Sequence, residues 1–147
     1  MARLTRPQQQ RRGAALVEMA IVMIVLFLLT FGIIEYGWLF QKLGHVTNAA
    51  RQGARVAARP NATVTSVNAA VNAAMALGDI PSASYTIAIT SNDVAVSNLS
   101  TVTPGQPVEV EVTVQYSDPV TGIGINVPII PVPAQIHSKM IMVKEGP

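Results

Sequence analysis

The sequence predicts an α+β chain, in which a long N-terminal transmembrane helix continues into a small domain with a second helix and a short antiparallel sheet. Three observations predict it. Residues 19–34 carry no formal charge; small residues recur every four positions between Ala49 and Ala58; and residues 108–116 alternate valine with polar side chains, ending on Tyr116. Helical signals precede strand signals throughout, which is the order of an α+β pattern.

The first element is an apolar helix. Residues 14–40 are interrupted only by Glu18 and Glu35, and a membrane span needs about 20 mainly apolar residues. Tyr36, Trp38 and Phe40 stand at its far end, where amphipathic aromatics favour the headgroup region. Glu35 reads as interfacial, within reach of water. Glu18 lies near the start of the apolar run. A charge at the centre of a membrane helix costs about 2.5–3.5 kcal/mol, so a carboxylate there suggests a specific partner.

Four arginines (Arg3, Arg6, Arg11, Arg12) precede the span, and Lys42, Arg51, Arg55 and Arg59 follow it. The leading four are crowded against the membrane, and a long downstream domain translocates largely regardless of charge. Both points place the N-terminus in the cytoplasm. An ordinary secretory signal has a shorter apolar core with a small-residue cleavage site after it. Twin-arginine export finds only Arg11-Arg12 in support. The serious competitor is a plain uncleaved anchor.

Past the span the helical pattern runs from 41 to 59. Ala49, Gly53 and Ala57 share one face, as do Ala50, Ala54 and Ala58, and small side chains permit close approach. Packing on the chain's own sheet is the preferred reading. Arg51, Arg55 and Arg59 form a neighbouring basic stripe, either a solvated face or a partner-binding site. Pro60 stops the helix. Residues 63–77 read as a second helix with Val64, Val67, Val71 and Met75 on one side, closed by Gly78.

Strands are expected at 85–90, 108–116 and 135–143. The alternation at 108–116 puts Val108, Val110, Val112, Val114 and Tyr116 on one face, with Glu109 and Glu111 on the opposite, wet side. Three prolines demote 123–133 to an edge or an extended loop.

Composition excludes several functions. The chain has 147 residues, half of them hydrophobic, and a formal charge of +2. Removing residues 1–13 takes away four of ten basic residues and none of the eight acids. The balance becomes acidic, and nucleic acid is not an expected partner. There is no cysteine, hence no disulfide and no thiolate metal site. His45 and His137 lack carboxylates at ligand spacing, and no phosphate loop or nucleophile motif occurs. No enzyme activity, metal or cofactor is expected.

The run Gly13-Ala14-Ala15-Leu16-Val17-Glu18-Met19-Ala20-Ile21-Val22 resembles the TadE-like pseudopilins of bacterial tight-adherence (Flp-type) pilus systems. The run Asn48-Ala49-Ala50-Arg51-Gln52-Gly53-Ala54-Arg55-Val56-Ala57-Ala58 also looks like that family, so the resemblance covers about residues 11–59. A proline that family members often carry soon after the glutamate is absent at Met23-Ile24-Val25, which argues against a family-type kink.

The resemblance implies a pilin-like shape and a cytoplasmic prepilin leader, residues 1–13, cut by a prepilin peptidase between Gly13 and Ala14. Residues 14–40 then form the transmembrane helix and 41–147 an extracytoplasmic α+β domain. Glu18 would pair with the new amine of a neighbouring subunit. Other pilin or pseudopilin subunits, the inner-membrane assembly platform and membrane lipid are the implied partners. The implied place is the bacterial inner membrane with the C-terminal domain periplasmic, and the extracellular pilus after assembly. The implied role is a minor pilin in pilus assembly or adhesion.

Overall fold

The structure, a computed structural model, describes residues 7–146, with side chains from Gly13 onward. Arg3 and Arg6 of the expected leader, and the side chains of Arg11 and Arg12, lie outside the described residues.

One helix, α1 (Pro7–Ala57), dominates the molecule. At 1.5 Å per residue its 51 residues extend about 75 Å. It runs unbroken through Met23-Ile24-Val25, the residues that lack the family's proline. It ends at Ala57 rather than at 59, and Arg59 falls in the turn before Pro60.

Helix α2 (Val64–Leu77) starts at Thr63 through a reciprocal cap. The Ser66 amide donates to Thr63 Oγ1 and the Thr63 amide to Ser66 Oγ, each at 3.1 Å. Two otherwise orphaned donors are thereby satisfied. Gly78 follows the last turn, as the sequence indicates.

Four strands form an antiparallel sheet: β1 (Tyr85–Ser91), β2 (Val94–Ala95), β3 (Pro107–Gln115) and β4 (Gln135–Val143), in spatial order β2-β1-β3-β4. Strand β2 is not anticipated by the sequence reading. It arises because Asn92 and Asp93 both take positive φ (49° and 63°), the geometry of a two-residue hairpin turn. Proline opens β3, where a missing N–H is tolerated.

The core lies between the inner face of the sheet and the two helices. Val108, Val110, Val112, Val114 and Tyr116 are fully buried there, with Val67, Val71 and Met75 of α2. Ala49, Ala50, Ala54 and Ala57 of α1 are equally buried. A Cβ on Gly53 would stand 2.6 Å from Val71 Cγ2 and 3.0 Å from Val110 Cγ1. The small residues therefore seat α1 on this chain's own α2 and sheet.

The outer face is less wet than the alternation implies. Glu109 is 8% exposed. It forms an ion pair with Lys139 of β4 and accepts from Thr90 Oγ1 of β1 at 3.1 Å. Thr90 is its register partner on β1, whereas Lys139, in register with Glu111, reaches it diagonally from β4.

Candidate functional site

Between Gly13 and Ile34 the side chains of α1 stand away from the domain; Gly32 alone is half-buried. Its most apolar 18-residue window has a mean hydropathy of 2.7, and none of it is buried. Leu16, Leu29 and Ile33 are each more than 60% exposed. Exposing so much apolar surface to water opposes folding at roughly 25 cal/mol per Å². Residues 14–34 extend about 30 Å along the axis, the thickness of a bilayer hydrocarbon core. This half of α1 is a membrane anchor by length, composition and exposure.

Gly13 and Ala14 sit inside α1, not at its start. A Cβ on Gly13 would touch nothing within 4 Å. Glu18 is exposed one turn further on, and among the described residues no group bonds to its carboxylate. The three are thus presented outward, with no role in the domain's own packing.

Where the exposed run ends, the domain grips the helix. Glu35 is fully buried, so its expected place at a wet interface is corrected. The Tyr116 hydroxyl donates to Glu35 Oε1 at 3.0 Å, and the Val127 amide stands 3.5 Å from Oε2. Side chains on a helix tilt toward its N-terminus, so Glu35 points back along the anchor and the 116–134 segment covers it. Gly124 permits this: a Cβ there would lie 2.7 Å from the Tyr116 ring. Burial, and then the Glu35 carboxylate, hold the Tyr116 hydroxyl well above its ordinary 10.0.

Two of the three aromatics that follow the apolar run bond to the domain. Tyr36 donates its hydroxyl to Pro131 O at 2.9 Å, and Trp38 donates Nε1–H to Ile123 O at 2.8 Å. Phe40 stays 66% exposed. The segment after β3, free of strand as its prolines indicate, is a clasp held by residues 35, 36 and 38.

Two buried lysines close the helix ends. Lys42 Nζ donates to Gly78 O at 2.8 Å, just past α2, and lies 4.7 Å above the Trp38 ring. Lys144 Nζ donates to Ala57 O at 3.2 Å and Arg59 O at 2.6 Å, at the end of α1. Each places a cation on the negative end of a helix dipole. Burial holds the Lys144 ammonium below its ordinary 10.5.

Arg51, Arg55 and Arg59 are all exposed, and among the described residues none forms an ion pair. Arg59 lines a shallow hollow with Val56, Pro60, Asn61, Ala62 and Ser66; it joins Arg55, Ala58, Met142 and Glu145 in another. His45 packs beside Gly78, while His137 is exposed on β4 opposite Thr113. The histidines do not converge, and among the described residues no three His, Asp or Glu side chains could hold a metal.

The sequence reading missed the burial of Glu35, Lys42 and Lys144. A signal existed. Glu35, Leu39, Lys42, Val46, Ala49 and Gly53 advance by four and three residues, a single stripe of the helix. Lys144 continues the inner-face parity of Ile136, Met140 and Met142.

Residues 13–55 match a protein family model described as TadE-like protein. The match begins at Gly13, covers the whole anchor and runs to Arg55, so the TadE-like resemblance holds over this stretch. No curated protein and no solved structure matches the chain significantly.

Proposed function

We propose that this protein is a minor pilin or pseudopilin of a bacterial tight-adherence pilus system. The observation that carries the reading is the TadE-like match over residues 13–55, on a helix whose apolar half faces outward, Gly32 excepted. A helix of that kind serves twice. It holds the monomer in the inner membrane, then buries its apolar surface against neighbouring helices when subunits assemble.

In this reading residues 1–13 are a cytoplasmic leader and the domain from 41 onward is periplasmic. A prepilin peptidase removes the leader after Gly13, leaving Ala14 as the new amine and Glu18 as the fifth residue. The carboxylate, unclaimed by its own domain, pairs with the Ala14 amine of a second subunit. Their attraction grows as the surrounding dielectric falls, while each alone pays to leave water. Assembly then depends on processing, because cleavage creates the amine. The role is structural rather than enzymatic, and the pilus assembly platform and sister subunits are the partners.

A second reading, an uncleaved single-pass anchored envelope domain, draws on one observation. The bond between Gly13 and Ala14 lies within α1, where a protease must unwind the helix to reach it. The two readings part at the N-terminus. Mass spectrometry of the membrane-extracted protein, with and without co-expressed prepilin peptidase, is expected to show a peptidase-dependent start at Ala14. An intact leader under both conditions rejects the pseudopilin and leaves the anchored domain.

A further inference from the structure

We propose that the 117–134 segment is a second membrane contact, resting in the headgroup and upper acyl region of the leaflet from which α1 emerges. The inference rests on the membrane reading of α1 and adds a lipid-facing surface outside that helix.

Position comes first. The segment is bonded to α1 at Glu35, Tyr36 and Trp38, within one turn of Ile34, the last residue of the exposed apolar run. Because helix side chains lean toward the N-terminus, Glu35 and Tyr36 reach their partners at or below the level of their own Cα atoms. The segment is therefore level with the place where the span leaves hydrocarbon. Tyr36 and Trp38 at the same height suit a headgroup layer.

Chemistry agrees with position. Ile129 is 74% exposed and Ile125 48% exposed. They flank Val127, whose amide faces Glu35, by two residues on either side. From 117 to 134 the only formal charge is Asp118. Its Oδ1 is already engaged by the Val120 and Thr121 amides, each at 2.8 Å. Pro119, Pro128, Pro131 and Pro133 remove four backbone donors from the same stretch. A backbone polar group without a partner is costly in lipid, so the four prolines and the shortage of charge lower the cost of entering that layer. Continuity with the anchor favours lipid over a second copy of the chain as the occupant.

The chain lacks cysteine, so single labels can be placed cleanly. Full-length Ile125→Cys, Ile129→Cys, Leu26→Cys and Val94→Cys variants would carry an environment-sensitive fluorophore in phosphatidylcholine–phosphatidylglycerol nanodiscs. Leu26 reports the span. Val94 is 67% exposed at the opposite end of the sheet. Its hairpin flanks the end of β3 that pairs with Val143, beside Lys144 and the end of α1.

Lipid bearing a nitroxide high on its acyl chain is expected to quench the labels at 125 and 129 several-fold more than the one at 94. Quenching at 26 with none beyond the Val94 level at 125 and 129 overturns the proposal and spares the anchor. Blue-shifted but unquenched emission at 125 and 129 means a protein covers the loop, and also overturns it. Loss of quenching at 26 removes the anchor and this inference together.

Discussion

Tyr116 donates its hydroxyl to the carboxylate of Glu35 at 3.0 Å, 81 residues away in sequence, with both side chains fully buried. This bond ties the residue that follows β3 to the helix at the point where it leaves its own domain. A buried carboxylate is tolerated only when its lone pairs are met.

Removing that donor is therefore expected to hurt. Tyr116→Phe deletes one oxygen and leaves Glu35 short of a partner, at a cost of about 1–3 kcal/mol. Chemical unfolding in detergent micelles would measure it, and a loss under about 0.5 kcal/mol would mean that the bond holds nothing. The pH dependence has a definite sign. The folded-state hydroxyl is held above its ordinary 10.0, so its contribution is complete below pH 10 and declines as pH rises toward the folded value. The gap between parent and Tyr116→Phe should narrow above pH 10.

The pair of Glu109 and Lys139 acts over a different window. Lys139, chiefly through its hydrogen bond, holds the Glu109 carboxyl below its ordinary 4.5. The same bond holds Lys139 above 10.5. Glu109 thus stabilises above pH 4.5 and loses its effect as pH falls through its folded value; Lys139 stabilises below 10.5 and loses its effect as pH rises through its own. In Lys139→Ala the remaining burial of Glu109 opposes its charge, so acid unfolding should begin at higher pH. Titration of the single tryptophan's emission would follow it. An unchanged acid midpoint would show the pair to be inert.

Much of this architecture was legible because it is written in local periodicity. The apolar run of α1, the Thr63 start and Gly78 end of α2, and the valine alternation of β3 each need only neighbours in sequence. What was not legible depends on distant chain. Glu35 reads as interfacial until the 116–134 segment is laid over it, and Glu109 reads as wet until Thr90 and Lys139 arrive from two other strands. The exposed, two-residue β2 carries too little pattern to be seen. The candidate site divides the same way. Gly13, Ala14 and Glu18 stand out as a motif, yet among the described residues no side chain engages them; their proposed partners lie on other molecules.

Gly53 gives a packing test. A Cβ would intrude on Val71 and Val110, both fully buried, and valine is stiff at χ1. Overpacking costs about 1–3 kcal/mol, against about 1 kcal/mol recovered by replacing a helical glycine with alanine. Gly53→Ala should be mildly destabilising, and Gly53→Val should lose about 1–3 kcal/mol because its branches find no room. Urea unfolding of both would decide. A Gly53→Val protein as stable as its parent would show that α1 is not seated on α2 and the sheet as described.

Glu18 gives the functional test. Its carboxylate is outward-facing on an apolar helix and is bonded to no group among the described residues, so Glu18→Gln should leave the domain's stability and membrane insertion unchanged. Assembly is where a loss is expected. Truncating one partner of a buried charge pair costs about 2–5 kcal/mol, and each 1.4 kcal/mol is about tenfold in affinity. Incorporation into filaments or pilus-base complexes should then fall by about tenfold or more, while cleavage after Gly13 continues. Quantifying the variant in sheared pili and in crosslinked membrane complexes, beside its total membrane level, separates the two steps. Glu18→Asp, which keeps the charge, should recover part of the loss. Full incorporation of Glu18→Gln would show that the subunit enters the assembly without this pair and that its helix packs on apolar contact alone.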